Sequence, residues 1–181
     1  MQLRFITVPL KSSKSNYQQF QSSVFRQSFE TKVYMFYQAQ FYTSEDFNRI
    51  KKIAEFSSNI AQLEIAYCHR YGYGTEKNLI KTFEWCKKSA EQGNTKAQFN
   101  LACYYEKSIG TEKNLTKTFE WCKKSVEKDF SHAQLGLASL YELGIGTEKN
   151  IIEAVRWYLK AYDNKDADAE KALKRLLNIS E

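Results

Sequence analysis

A pentapeptide, Gly-Thr-Glu-Lys-Asn, occurs three times in this chain of 181 residues. Its copies lie 36 residues apart, at 74–78, 110–114 and 146–150. Ala-Gln pairs recur with the same period, and residues 81–89 are identical to residues 117–125. A fixed period of this length is typical of repeat architectures. We therefore divide this part of the chain into three units, at 61–96, 97–132 and 133–168.

Each unit is predicted to contain two helices. The first carries small or apolar residues with the spacing of one helical face, at Ala61, Ile65, Ala66 and His69 and their equivalents Ala97, Leu101, Ala102, Tyr105, Ala133, Leu137, Ala138 and Tyr141. The second carries a similar stripe, at Phe83, Cys86 and Ala90, at Phe119, Cys122 and Val126, and at Val155, Tyr158 and Tyr162. Glycines follow the first helix, where they permit the positive φ that ends a helix.

Polar residues mark where the second helices begin. Asn78, Asn114 and Asn150 stand at the expected N-cap positions. Glu153 is expected to complete a capping box, with Asn150, in the third unit only.

Further helices are expected at both ends, because a helix-turn-helix pair of this size is stabilised by stacking on its neighbours. Before the clear units, residues 25–60 form a degenerate repeat with a first helix at about 24–40. Its second helix is predicted over 44–56, with Ser44 as N-cap. After them, residues 169–181 are predicted to form a capping helix. The predicted fold is all-α, an α/α superhelix (solenoid) of helix-turn-helix repeats.

The charge is concentrated at the N-terminus. The net charge is +6, but residues 1–29 hold four basic residues and no acidic one, so the repeats are close to neutral. Near-neutral repeats argue against nucleic-acid binding. The Ser- and Gln-rich leader, 1–24, is expected to be disordered, with a mitochondrial transit peptide as the alternative. No apolar run is long enough to span a membrane.

The spacing of the cysteines and serines does not favour a metal site or a catalytic site. Cys68, Cys86, Cys103 and Cys122 form no close pair of the kind that binds zinc, so we expect reduced thiols, a cytoplasmic location, and no metal or cofactor. Ser125 stands three residues before Lys128, as in the nucleophile motif of penicillin-recognising enzymes. The other motifs of those enzymes are missing, and we expect no catalysis.

The third unit resembles the Sel-one-like repeat of the tetratricopeptide superfamily. The matching residues are Ala133, Leu137, Tyr141, Gly144, Gly146, Ala154, Trp157, Tyr158, Lys160 and Ala161. The resemblance covers about 61–181 well and 40–60 loosely, and it departs from the pattern at Ala66, Ala102, Ser108, Cys86 and Cys122. It implies a right-handed superhelix that acts as a scaffold or adaptor and holds a protein partner in its concave groove.

Comparison between units suggests which residues would contact that partner. Positions on the first helix that change chemistry from unit to unit, on the face that lines the groove in the tetratricopeptide geometry, are Tyr67, Arg70, Cys103, Glu106, Ser139 and Glu142. The alternative is that these are ordinary solvated helix positions. Other possibilities remain open: a fragment of a multidomain protein, for example one linked to a kinase, an RNA-binding solenoid, or a penicillin-recognising hydrolase. The protein is expected to be a monomer.

Overall fold

The computed structural model describes residues 43–126 and 130–177. Within these two stretches the backbone forms eight α-helices and no strand. The helices are α1 (Ser44–Glu55), α2 (Asn59–Tyr71), α3 (Leu79–Glu91), α4 (Thr95–Lys107), α5 (Leu115–Ser125), α6 (Ser131–Leu143), α7 (Ile151–Asp163) and α8 (Ala167–Leu176). The all-α prediction is confirmed.

Consecutive helices pack as pairs, α2 with α3, α4 with α5, and α6 with α7. Each pair packs on the next through α3 with α4 and α5 with α6, while α1 and α8 pack on the two ends. This is the stacked solenoid that the 36-residue period predicts. The leader at 1–24 and the first helix predicted at about 24–40 lie outside the described residues, and the unit boundaries remain predictions.

The first helices bury the predicted stripe. Ile65 and Ala66 in α2, Leu101 in α4 and Leu137 in α6 have no exposed surface. Three core clusters each combine both helices of one unit with the next helix in the chain, so none of these units encloses its apolar residues by itself. Burial of aliphatic side chains between units is therefore the main source of stability.

The second helices follow the prediction except at one residue. Cys86 and Cys122 are buried, but Tyr162 is 48% exposed, and the buried residue beside it is Ala161. The prediction of a buried Tyr162 is wrong, because α7 turns the face with Tyr158 and Ala161 into the core. Tyr162 follows Ala161 by one residue, about 100° further around the helix, and so points out of the core.

Asparagine caps close the turn between the two helices of a unit. The side chains of Asn78, Asn114 and Asn150 each accept a hydrogen bond from the backbone N–H three residues later, as predicted. The backbone N–H of Asn150 donates to the Tyr141 carbonyl at 2.8 Å. This N–H is therefore already paired, and the Glu153 carboxylate instead accepts from Arg156 at 2.8 Å. The predicted capping box at Glu153 is wrong for this reason.

A capping box does form at α1, one residue before the predicted cap. Thr43, not Ser44, is the N-cap. Its hydroxyl accepts from the Asp46 N–H at 3.2 Å, and its N–H donates to the Asp46 carboxylate at 3.0 Å. The box needs an acid three residues after the cap, and only Thr43 has Asp46 at that spacing.

The turn glycines fit each unit against the preceding one. Gly74, Gly110 and Gly146 have positive φ angles of 63°, 66° and 69°. A Cβ on Gly110 would overlap the carbonyl of Leu79, the first residue of α3, and a Cβ on Gly146 would overlap that of Leu115 in α5. Glycine is therefore required both for the backbone conformation and for the close approach between units.

Replacing Gly110 with alanine should lower the free energy of unfolding by about 2–5 kcal/mol. Left-handed strain of about 1–2 kcal/mol adds there to overpacking of about 1–3 kcal/mol. Gly93→Ala is the matched control, because Gly93 has a φ of 82° but no atom lies within 4 Å of an added Cβ. Urea denaturation followed by circular dichroism measures both variants. Equal losses would show that the contact with Leu79 adds nothing to the strain.

One turn carries backbone strain that the other two avoid. Ser108 ends α4 with a φ of 56°, where α2 and α6 end with Gly72 and Gly144. A non-glycine residue in this left-handed conformation costs about 1–2 kcal/mol.

Ser108→Gly should therefore raise the free energy of unfolding, by about 0.5–1 kcal/mol after the extra entropy of an unfolded glycine is subtracted. Lys107→Gly, one residue earlier and inside the helix, should lower it by about 1 kcal/mol. Thermal unfolding of the two variants beside the wild type checks the sign. Destabilisation by both would mean that Ser108 is not strained.

Candidate functional site

The six candidate residues form one surface on α2, α4 and α6, which we call the first-helix face: Tyr67, Arg70, Cys103, Glu106, Ser139 and Glu142. All six are partly exposed, and none is fully buried or fully solvated. They occupy two equivalent positions in three successive units, so the stacking of the units brings them together. The chemistry of this surface differs between its α2, α4 and α6 parts.

Tyr67 and Arg70 lie at the end nearer α1 and are held by neighbouring side chains. The Asn100 amide donates to the Tyr67 hydroxyl at 2.8 Å. The Arg70 guanidinium carbon lies 5.0 Å from the centre of the Tyr104 ring and 5.6 Å from that of Tyr71, which are cation–π distances. An arginine and an aromatic ring fixed in this way form the chemistry that dominates many protein interfaces.

Glu142 at the other end already has partners within the chain. The Tyr158 hydroxyl donates to it at 2.7 Å, and one Arg175 nitrogen from α8 contacts both of its oxygens at 2.6 and 2.8 Å. Ser139 lies beside the same phenol. Burial, together with the Glu142 carboxylate, raises the pKa of Tyr158 to about 12, so the phenol keeps its proton. At this end of the first-helix face, the charge and the hydrogen-bond acceptors of Glu142 are therefore already paired within the chain.

Cys103 and Glu106 form the middle of the face. Burial raises the pKa of the Cys103 thiol, and the nearby Glu106 carboxylate adds to the shift. The thiol is therefore protonated near neutral pH and is a poor nucleophile. In the third unit, the Tyr158 hydroxyl on α7 donates to Glu142. The equivalent residue on α5, 36 positions earlier, is Cys122, so Glu106 lacks the phenol donor that Glu142 has.

Three residues that contact members of this surface were missed from the sequence: Asn100, Tyr104 and Arg175. Asn100 occupies a position that is Glu64 and Gly136 in the other units, so variation between units also marks it. Arg175 stands 36 residues after Ser139, in the register that continues into the capping helix. Comparison along the period could therefore have found it.

Most residues considered for metal binding or catalysis are buried: Cys68, Cys86, Cys122 and Ser125, but not Cys103. Cys86 and Cys122 direct their thiols at the Ala97 and Ala133 carbonyls, at 3.3 and 3.6 Å, and burial raises the pKa of each to about 12. No metal-binding group of His, Cys, Asp and Glu occurs in the described part of the chain. Ser125 has no exposed surface, and its hydroxyl donates to the Cys122 carbonyl at 2.6 Å. A substrate could not reach that hydroxyl.

The second helices form an outer face of repeated tryptophan–lysine pairs. Lys88, Lys124 and Lys160 lie 4.4, 4.2 and 4.2 Å from the ring centres of Trp85, Trp121 and Trp157. The tryptophans are only partly buried, so their rings share this surface with the lysines. Each ring is already covered by a lysine of its own helix, which reduces its availability for stacking on a base.

His69 fills the place of a tyrosine in the first unit. It is 5% exposed, and its ring meets that of Phe47 edge to face at 5.3 Å. Burial lowers its pKa, and a hydrogen bond to the Glu76 backbone offsets this only in part. The folded protein thus favours neutral imidazole.

This predicts a loss of stability in acid. Because the pKa of His69 is lower in the folded state, the unfolded chain binds the proton first, and stability falls as the pH drops below about 6.5. His69→Phe should remove that part of the pH dependence. Urea midpoints between pH 7.5 and 5.5 provide the comparison. Identical slopes for the variant and the wild type would contradict the assignment.

The fold and the first-helix face define a helical-repeat protein with a varied surface on its first helices. The model of the Sel1 repeat matches residues 59–94, 95–130 and 131–166, which together make up more than half of the chain. The chain belongs to the Sel1 repeat family. Proteins of this family generally mediate protein–protein interactions and are generally non-catalytic scaffolds.

Solved structures share this fold. A Sel1 repeat protein from Oxalobacter formigenes is 35% identical, with a TM-score of 0.69, over 76% of this chain and 54% of its own. The protective antigen c5321 of uropathogenic Escherichia coli, described as displaying an SLR fold, is 30% identical, with a TM-score of 0.70, over 77% of this chain and 30% of its own. The chain thus spans about half of one relative and under a third of the other.

Cysteine rich protein B of Helicobacter pylori shares the fold at 22% identity and a TM-score of 0.55, over 70% of this chain and 96% of its own. A comparison with curated protein sequences gives no significant match. Across 43–126 and 130–177, no helix has the length and apolar character that crossing a membrane requires.

Proposed function

We propose that this chain is a non-catalytic adaptor that holds a segment of a protein partner on its first-helix face. The observation that carries the proposal is the cluster at its α2 end, where Asn100 holds Tyr67 and two tyrosine rings hold Arg70. These side chains are partly exposed and have lost much of their freedom before a partner arrives. Binding therefore costs less conformational entropy than it would with mobile side chains.

The family's geometry supports the choice of this face. In a superhelix of Sel1 repeats we expect the first helices to line the concave side, where an extended or helical segment touches several units at once. The outer face is a weaker candidate, because in each unit its tryptophan ring is already covered by a lysine of the same helix. The free thiols of Cys68, Cys86, Cys103 and Cys122 support a reducing compartment such as the cytoplasm.

Affinity capture from a lysate of the source organism tests the proposal. The tagged full-length chain is compared with a variant of the first-helix face, Tyr67→Ala with Arg70→Ala. At least one protein recovered with the wild type should fall about tenfold or more with this variant, as expected when hot-spot residues are removed.

The matched control lies on the outer face. Lys87→Ala with Glu91→Ala removes an exposed pair, 3.8 Å apart, on α3. It should leave recovery of the same protein unchanged, and thermal unfolding confirms that both variants are folded. Equal recovery by all three proteins would remove the assignment to the first-helix face.

A further inference from the structure

Because the units stack with a fixed period, each charged residue of the first-helix face faces the residue 33 positions later in the chain. Glu142 on α6 forms an ion pair with Arg175, 33 residues later on α8, the helix that follows the third unit. The 36-residue period places Glu106 in the same relation to Ser139, and Arg70 in the same relation to Cys103. In agreement with this, the charge of Arg70 affects the pKa of the Cys103 thiol, although burial is the larger cause.

Only one of these three positions has its counter-charge. Arg175 supplies it to Glu142, whose side chain is then only 13% exposed. Serine and cysteine at the two equivalent places carry no charge. Within the described parts of the chain, Arg70 has no carboxylate and Glu106 no ammonium or guanidinium group within ion-pairing distance.

Both unpaired charges are partly withdrawn from water. A half-buried charge loses hydration, and a charge-assisted hydrogen bond from a partner would replace what it has lost. Arg70 also lies within cation–π distance of the rings of Tyr71 and Tyr104, which restricts the movement of its guanidinium group. A planar guanidinium group with restricted movement suits recognition of a carboxylate.

We infer that the first-helix face selects a protein segment with an acidic residue for Arg70 and a basic residue for Glu106. The basic residue of the partner forms an ion pair with Glu106, as Arg175 does with Glu142. The acidic residue of the partner forms an ion pair with the Arg70 guanidinium group. The inference rests on the proposed function, since it specifies the partner of the same face.

The geometry also sets the spacing of the two charges. The side chains of α2 and α4 meet, at Tyr67 with Asn100 and at Arg70 with Tyr104, although these two helices are not one of the closely packed pairs. Their equivalent positions therefore lie near the upper end of the range for helices in contact, about 10 Å apart. An extended chain rises about 3.3 Å per residue, so the acid and the base stand about three positions apart in an extended segment. In a helical segment, with a rise of about 1.5 Å per residue, they stand about six or seven positions apart.

A phage library of random 12-residue peptides, selected on the immobilised full-length chain, is the direct test. Enriched peptides should carry an Asp or Glu and a Lys or Arg at one of these spacings. Selection on Arg70→Gln should lose the preference for the acid and keep that for the base, and Glu106→Gln should do the reverse. Individual peptides should bind each variant about 10- to 100-fold more weakly, the usual effect of losing one charge-assisted contact.

A second variant supplies the missing cation from within the chain. Ser139→Arg places an arginine beside Glu106 as Arg175 stands beside Glu142, so peptides selected on it should lose the basic residue while the acidic one remains. It removes no existing charge and is compared with Ser139→Gln, whose longer side chain carries no charge, so that peptides selected on Ser139→Gln should still carry the basic residue. Enriched peptides with no charge preference, or with one that none of these variants changes, would overturn the inference.

The same selection separates this inference from the proposed function. Peptides that lack the acid–base pair but lose binding on Tyr67→Ala would leave the first-helix face as a binding surface and remove the inferred charge preference. Peptides that bind Tyr67→Ala and Arg70→Gln as tightly as the wild type would contradict both.

Discussion

The contact between a turn glycine and the first residue of the preceding second helix determines how the units stack. Gly110 lies against the Leu79 carbonyl and Gly146 against that of Leu115, with no space for a side chain between them. Since the contact recurs with the 36-residue period, each unit meets the one before it in the same way. A superhelix follows when one relation between neighbours is repeated.

This stacking gives the two surfaces of the solenoid different properties. On the outer face, each tryptophan is covered by a lysine of its own helix, and the pair returns in every unit. On the first-helix face, the residues change from unit to unit and contact residues of the next unit, as Tyr67 contacts Asn100. The repeated pairs belong to the scaffold, whereas the varied contacts distinguish one position along the array from another.

Helix α8, which lies where the capping helix is predicted, does more than pack on α7. It buries Ala169 and Leu173, and it also brings Arg175 to Glu142, so the last carboxylate of the first-helix face is neutralised within the chain. Arg70 and Glu106, further from this end, receive no such partner from the described residues. Helix α8 therefore leaves the charges that define the proposed specificity on α2 and α4.

Local rules made much of this fold predictable. The helices, their glycine ends and the asparagine caps depend on residues close together in the sequence, and the period is visible in the sequence itself. The sequence by itself determined these features. The sequence did not determine outcomes that depend on packing in space: the Tyr141 carbonyl takes the N–H that Glu153 needed, and α7 buries Ala161 while the adjacent Tyr162 stays exposed. Which charges of the first-helix face are neutralised was decided only by the tertiary structure, because Glu142 and Arg175 meet across stacked units, 33 residues apart.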